Sequence, residues 1–532
     1  MTEKYTAGTR IQTGLQSISR GAFLLVCMGM TAGLFGISYP SLSVSFAAWM
    51  MLAPFIWGVC HVRSVWGATL YGWLTGLVSN AILLSWVYDT CLRGGGLAKP
   101  VALVAWLGLA GLLAVQFAIF GASCHFLRKT GAFFPLLAAC GWVALEWLHQ
   151  TIAFYGVGFP WIVLGYTQWN VPQVLYIASY TGVYGISFVL AFTGASVGWC
   201  FGQPSLRKGI WQLIIATLVF ASVYGYGTHL QKRFARFMKR PHSLLTLQAS
   251  LLQPNIDQYK KWTPEFEAEI NQTLAEMGRS LAGKNTYLAV WPESAVPGSL
   301  TDAYYFELFK EIGQQSGAYQ MVGSNIFTAE GEQYVGAYLM TPQGEGLSAY
   351  RKVKLVPFGE FIPFEWLLKY VVKDIEVMGA LGSFLPGPVE QPLLEAGGVK
   401  LGSTVCYESI FPQLWRAQAK QGAQVFVNIT NDAWFFDTAA PHQHLAVNVL
   451  RAAENGLPVL RAANTGFSAY IDAFGNVKER SALFQQTIIT ASVPLSVRDT
   501  STFYVKWGDW FAWVCAVLFF TIGISTLVFL YE

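Results

Sequence analysis

Three residues in this chain are suited to one reaction: a cysteine, a glutamate and a lysine, each at the end of an apolar run. Cys406 closes the stretch Val399-Lys400-Leu401-Gly402-Ser403-Thr404-Val405, which reads as a buried strand, and Tyr407-Glu408-Ser409 comes next. A sulfur at the sharp exit of a strand is held on one side and open on the other, as a nucleophile needs to be. The other seven cysteines (Cys27, Cys60, Cys91, Cys124, Cys140, Cys200 and Cys515) lie in or beside long apolar segments, which leaves Cys406 without an obvious disulfide partner. Glu293 stands in Trp291-Pro292-Glu293-Ser294, where Pro292 stops an apolar strand and fixes the direction of the next residue. A carboxylate there is partly desolvated and competent as a general base. Lys352 and Lys354 alternate in Arg351-Lys352-Val353-Lys354 on one face of an expected strand, and a lysine aimed at a developing oxyanion supplies fixed positive charge. Each has an ordinary reading on its own: a small buried hydrophobe, a surface or capping glutamate, a basic strand edge. Together they supply a thiol, a base and a cation.

The elements that must position them divide the chain in two. Of 532 residues, 54% are hydrophobic and only 12% charged, about half the charge of a soluble domain. Aromatics make up 15%, with 20 Trp, which suits belts at membrane interfaces. The net charge of +4 is too small and too dispersed to argue for nucleic acid. A membrane-crossing helix needs ~20 mostly apolar residues. Such segments lie near 21–38, 40–58, 65–87, 100–123, 131–149, 174–201 and 209–227, with an eighth at 508–530. This predicts a multi-span α-helical membrane protein of about eight spans with one large inserted domain. The short loops on the N-terminal side hold Lys4, Arg10, Arg20, Arg63, Arg128, Lys129, Arg207 and Lys208, and those opposite hold only Arg93 and Lys99. Positive charge stays inside, so both termini are expected in the cytoplasm and the inserted domain outside. The basic run Lys232, Arg233, Arg236, Lys239 and Arg240 then falls on the outer side, as a solvated face beside the membrane.

Between spans five and six, Tyr155-Gly156-Val157-Gly158-Phe159-Pro160-Trp161 is apolar but broken by glycine and proline. It is expected to be a re-entrant or interfacial loop on the outer side. The spans are poor in charge apart from Glu146, which argues against a transporter. From about residue 243 short strands alternate with helices, the pattern of a layered α/β domain. The divisions expected are 1–228 for a seven-span bundle, 229–505 for the inserted domain (core about 245–498) and 506–532 for the last helix.

The order Glu, Lys, Cys, each at a strand end, resembles the nitrilase, or carbon–nitrogen hydrolase, superfamily over roughly residues 245–498. That resemblance implies an αββα sandwich, with Glu293 as general base, Lys352 as oxyanion-stabilising lysine, Cys406 as nucleophile and Glu360 as a second, supporting glutamate. Insertion of such a domain into a membrane bundle resembles the apolipoprotein N-acyltransferase family. The local signatures agree: Gln253-Pro254-Asn255-Ile256 with Lys261-Trp262, Leu355-Val356-Pro357-Phe358-Gly359-Glu360, Cys406-Tyr407-Glu408, Asn431-Asp432-Ala433-Trp434-Phe435, and Gly158-Phe159-Pro160-Trp161 in the membrane part. Phe436 departs from the pattern, standing where a glycine is expected. The resemblance implies acyl transfer from a phospholipid, phosphatidylethanolamine in that family, to the amino group of a diacylglyceryl apolipoprotein. It implies a thioester intermediate, a bacterial inner-membrane location with the catalytic domain in the periplasm, and no cofactor or metal. Tyr407 and Glu408 are expected to support the site. Trp262, Phe358, Asn431, Trp434 and Phe435 are the candidate substrate contacts. The rival readings are an amidase-like enzyme that releases the acyl group to water, a Cys–His pair or metal site using His442 or His444, and an inactive scaffold.

Overall fold

The computed structural model describes residues 3–203, 206–238, 244–345, 347–364, 384–496 and 501–531; Lys239 and Arg240 of the basic run lie outside these. The inserted domain is two six-stranded sheets. One has the order β12-β1-β2-β3-β4-β5, built from β1 (Leu244–Gln253), β2 (Leu288–Val290), β3 (Tyr319–Phe327), β4 (Gln333–Met340), β5 (Leu347–Arg351) and β12 (Thr487–Ser496). The other has the order β11-β10-β9-β8-β7-β6, from β6 (Leu394–Ala396), β7 (Val399–Val405), β8 (Val425–Thr430), β9 (Val459–Ala463), β10 (Ala469–Ile471) and β11 (Val477–Arg480).

Strand periodicity makes this a four-layer sandwich. Val335, Ala337 and Leu339 of β4 enter a core shared with Leu401, Val405, Val427 and Ile429 of the second sheet. Their neighbours Tyr334, Tyr338 and Met340 face the other way, into a core with Ile270 and Leu274 of the helix Glu267–Arg279 and Phe309 and Ile312 of the helix Ala303–Ser316. Successive side chains point to opposite faces of a sheet, so one strand serves both cores. Beyond the second sheet lie the helices Pro412–Lys420 and Ala439–Asn455, with Trp415 edge-on to Phe426. The segment 486–493 reads in sequence as part of a local hairpin. It instead pairs antiparallel with β1 across the whole domain, Leu244 opposite Ser496 to Gln253 opposite Thr487.

Among the described residues, four helical stretches are long and apolar enough to cross a membrane: Ser19–Ser38, Lys99–Tyr155, Val183–Gly202 and Gly209–Lys232. A fifth is the pair Val65–Leu83 and Ser85–Gly94, bent by 60°. The stretch Lys99–Tyr155 has 57 residues, about 85 Å if straight, but turns at Gly131 (φ 62, ψ −121) so that Val115–Leu127 packs beside Phe134–Tyr155. The expected second span, 40–58, is not one long helix. Turns follow Pro40 and fall again just before Ala53, and the apolar helical stretch Ala47–His61 is short. The expected sixth span, 174–201, is interrupted at Gly182 (φ 65), and its continuous helix begins at Val183. Small residues let helices touch: a Cβ on Gly72 would lie 2.3 Å from the carbonyl oxygen of Phe117, and one on Gly121 would lie 2.5 Å from that of Ala68.

Candidate active site

Three strand ends converge. Glu293 lies just beyond β2, Lys352 just beyond β5 and Cys406 just beyond β7. Lys352 is fully buried, and its Nζ is 3.0 Å from Glu293 Oε1 and 2.6 Å from Glu360 Oε1. The second oxygen of each carboxylate accepts a backbone N–H, from Asn431 to Glu293 (2.9 Å) and from Val356 to Glu360 (2.8 Å). Burial alone would depress the lysine's pKa, but the two carboxylates more than offset it and hold the ammonium charged. Burial pushes the Glu360 carboxyl up, against the pull of Lys352. Burial also pushes the Cys406 thiol well up, Glu293 adds to this, and Lys352 opposes it. The resting sulfur is therefore a thiol, and its attack needs a base.

Cys406 sits at φ 51, a conformation few non-glycine residues adopt. Glu408 helps impose it. Its carboxylate accepts N–H bonds from Val405 (2.7 Å), Val353 and Lys354 (3.1 Å), and the Tyr350 hydroxyl at 3.1 Å. Glu408, two residues after Cys406, thus ties the Cys406 turn to the Lys352 loop. Ser294, Phe358 and Phe436 also have positive φ.

The membrane part reaches the neighbour of Cys406 directly. Tyr407 Oη donates to the carbonyl of Gly158 (2.9 Å), and its ring stacks on Phe159 at 5.8 Å. Phe159 stacks on Trp161 (5.4 Å), which packs beside Trp86 (5.3 Å), and Trp86 meets Phe435 edge-on (5.1 Å). Gln443 binds this wall: its Oε1 accepts from both indoles, Trp86 (3.1 Å) and Trp161 (2.7 Å), and its Nε2 donates to the carbonyl of Leu83 at the bend (3.1 Å). From below, Glu146 accepts from Leu164 N–H (2.8 Å), and Gln150 donates to the carbonyl of Pro160 (3.4 Å), so a membrane helix fixes the loop.

Relatives of known name match nearly the whole chain. Residues 31–196 match the family model for the apolipoprotein N-acyltransferase N-terminal domain, and residues 248–501 match that for the carbon–nitrogen hydrolases. The apolipoprotein N-acyltransferase of Geobacter metallireducens is 34% identical over 91% of both chains. Those of Methylococcus capsulatus (32%, 88% of both) and Vibrio parahaemolyticus (30%, 86% of this chain and 88% of that one) are also similar. The chain belongs to the apolipoprotein N-acyltransferase family. Within that family frame, the structure brings together Glu293, Lys352, Glu360, Cys406, Tyr407, Glu408 and Asn431. Phe435 joins the aromatic wall. Trp434 packs against Gly94, at the far end of the second helix of the bent pair. Trp262 (42% exposed) and Phe358 (55% exposed) stand at the surface around the site. The expected alternation of Lys352 and Lys354 does not hold, because β5 ends at Arg351. Lys352 turns into the site, while the Lys354 ammonium lies over the ring of Phe154 at 5.0 Å. Phe436, where the family pattern has glycine, has φ 54, and its ring is covered by the guanidinium of Arg93 at 3.8 Å.

His444 is not a partner of the sulfur. Its ring nitrogens lie 2.9 Å from Asp432 Oδ1 and 3.1 Å from the carbonyl oxygen of Cys406. Asp432 also pairs with Arg461 at 2.7 Å, and all three are fully or almost fully buried. His442 packs on Phe467. No group of three or more His, Cys, Asp and Glu that could hold a metal exists among the described residues. The sequence does not signal the roles of His444, Arg461 and Gln443, or of Gln258, whose Oε1 accepts from Asn431 Nδ2 (2.6 Å); the Asn431-Asp432 pair is the one local signal pointing to the first two.

The approach of β3 to Glu293 gives a prediction. A Cβ on Gly323 would lie 2.1 Å from the carbonyl oxygen of Pro292 and 2.6 Å from Glu293 Cα. Both are backbone-fixed atoms, so Gly323→Ala must displace the Glu293 strand end. A misplacement near 1 Å costs roughly a hundredfold in rate. Acyl-enzyme formation by Gly323→Ala should fall by that order while the protein remains folded by circular dichroism.

Proposed function

We propose that this enzyme transfers a fatty acyl group from a phospholipid, through a thioester on Cys406, to the α-amino group of the diacylglyceryl-cysteine of apolipoproteins. This is the last step of bacterial lipoprotein maturation. The observation that carries the reading is the direct contact between the nucleophile's neighbour, Tyr407, and the aromatic loop of the membrane part. Glu293 takes the Sγ proton as the sulfur attacks the acyl ester carbonyl. Lys352 and a backbone N–H near Cys406–Tyr407 hold the tetrahedral oxyanion; one such donor is worth ~3–4 kcal/mol. The C–O bond breaks, the lysophospholipid leaves with the proton from Glu293, and the thioester remains. The acceptor amine, deprotonated at Glu293, then attacks the thioester, and the thiol returns. The kinetics are ping-pong. Phosphatidylethanolamine is the donor this reading favours.

The loop Gly158–Trp161, with Trp86, Phe435, Trp434, Phe358 and Trp262, forms the apolar approach for the acyl chains. We read seven membrane passes in residues 1–228 and an eighth in 506–532, enclosing a catalytic domain over 229–505. The charge asymmetry of the short loops supports cytoplasmic termini and a periplasmic domain in the inner membrane.

Mass spectrometry of the wild-type protein after incubation with phosphatidylethanolamine tests the reading. A fatty-acyl mass on the Cys406 peptide, discharged as an amide onto a diacylglyceryl peptide, is expected. An adduct that is lost only to water would establish the amidase-like rival, and the absence of any adduct would sink the nucleophile assignment.

A further inference from the structure

The turn after β1 holds a charged group that the acyl-transfer mechanism does not use. Lys261 is 1% exposed, and its Nζ has no hydrogen-bond acceptor among the described residues. Lys352, equally buried, sits between two carboxylates. The turn is part of the site's construction. Lys261 N–H donates to the carbonyl of Asp257 (3.1 Å), Tyr259 N–H donates to Asp257 Oδ1 (2.8 Å), and Gln258 Oε1 accepts from Asn431 Nδ2 (2.6 Å). Asn431 in turn holds Glu293 through its N–H. The negative charge of Glu293 reaches Lys261, but both its oxygens are already bonded, to Lys352 and to the Asn431 N–H. The Trp262 ring is 6.0 Å from Nζ, at the limit of a cation–π contact.

A buried ammonium without partners is costly and persists where something else completes it. Burial pulls the Lys261 pKa down to about 8, with Glu293 opposing, so the group stays mostly protonated at neutral pH. Its three N–H donors face no protein acceptor among the described residues, while a phospholipid carries one phosphodiester anion a few bonds from its ester carbonyls. Lysine binds phosphate as a point charge through such donors. Cys406 is itself only 8% exposed, so any substrate must shift the cover of this site. Trp262 and Tyr259, on the same turn as Lys261, are exposed.

We propose that Lys261 determines donor specificity: its ammonium receives the phosphodiester anion of the acyl donor while the ester lies at Cys406. This rests on the phospholipid donor of the proposed function.

The test compares two donors with the full-length protein in detergent micelles. One is phosphatidylethanolamine and the other is the uncharged ester p-nitrophenyl palmitate, with acylation of Cys406 read by mass spectrometry. Lys261→Met and Lys261→Gln should lose roughly 10- to 100-fold more kcat/KM with the phospholipid than with the uncharged ester, as removal of a charged hydrogen bond predicts. The loss should fall mainly in KM, and Lys261→Arg should recover much of it. Acylation by the uncharged ester also reports that each variant is folded. Equal losses on both donors would overturn the assignment, because they would mark a general electrostatic or structural role. A wild-type protein acylated by the uncharged ester but never by the phospholipid would overturn the donor reading itself, and this inference with it.

Discussion

Lys352→Met is expected to cut acyl-enzyme formation by at least about a hundred- to a thousandfold, the cost of one lost oxyanion donor, and to destabilise the catalytic domain as well. The two effects have different origins. The lysine is fully buried between Glu293 and Glu360, and its removal leaves two buried carboxylates facing each other. Breaking a buried ion pair by deleting one partner costs about 3–5 kcal/mol. The carboxyl of Glu360, already pushed up by burial, loses the cation that opposed that shift. A carboxylate whose folded pKa is raised above its ordinary value of 4.5 favours folding below that value, and the contribution is lost as pH rises toward the folded pKa. The variant should therefore regain part of its melting temperature on mild acidification, to a degree the wild type does not show. Lys352→Met/Glu360→Gln should recover most of the stability and none of the activity. If the single variant melts like the wild type at neutral pH, the buried pair does not carry the stability assigned to it.

That strand-end residues such as Glu293 and Cys406 would meet was legible in the sequence for a physical reason. A strand bounded by proline or by a helix-forming run ends at a defined residue, and that residue is exposed to the space between layers. Glu293 and Cys406 carry this local signal, whereas Lys352 reads as part of a strand that continues to Lys354 and in the structure ends at Arg351. The pairing of β12 with β1 carried none, because Leu244 and Ser496 are joined only by the closure of the whole domain. The spans were legible as apolar composition but not as geometry. Hydropathy does not register the turns between Pro40 and Ala53 or the break at Gly182, where backbone conformation overrides apolarity. Gln443, Arg461 and His444 were hidden for the opposite reason. A polar residue within a helix or strand pattern reads as solvent-facing, whereas all three are buried and matched to partners from distant segments. Gln443 shows how much function such a residue can hold in place: one amide bonds two indoles and the carbonyl at a helix bend, and so joins the aromatic wall to the catalytic domain.

Asp432→Asn should produce the second large effect, through the backbone of Cys406 rather than through the substrate. Arg461 is fully buried, and its acceptors are Asp432 Oδ2 (2.7 Å), Asn428 Oδ1 (2.6 Å) and the carbonyl of Phe467 (3.1 Å). Asp432 is the one anion among them, and it also positions His444 against the Cys406 carbonyl. Burial alone would raise its carboxyl pKa, but Arg461 and His444 more than offset this and hold it well below the usual range. A depressed folded pKa gives stability that is present above the ordinary value of 3.8 and lost only as pH falls through the folded value. At neutral pH that contribution is complete, so removing the charge should cost about 3–5 kcal/mol. Melting should drop by roughly 2–4 °C for each kcal/mol in a domain of this size. Cys406 at φ 51 would lose the imidazole that braces its carbonyl, and kcat should fall while KM for the acyl donor stays close to wild type. Asp432→Asn/Arg461→Met separates the causes: with the unpaired cation gone, stability should return in part, but the slow acylation should persist because His444 is still unheld. Full recovery of kcat in the double variant would show that the aspartate acts only by neutralising Arg461. A KM effect as large as the kcat effect would place it among the substrate contacts instead.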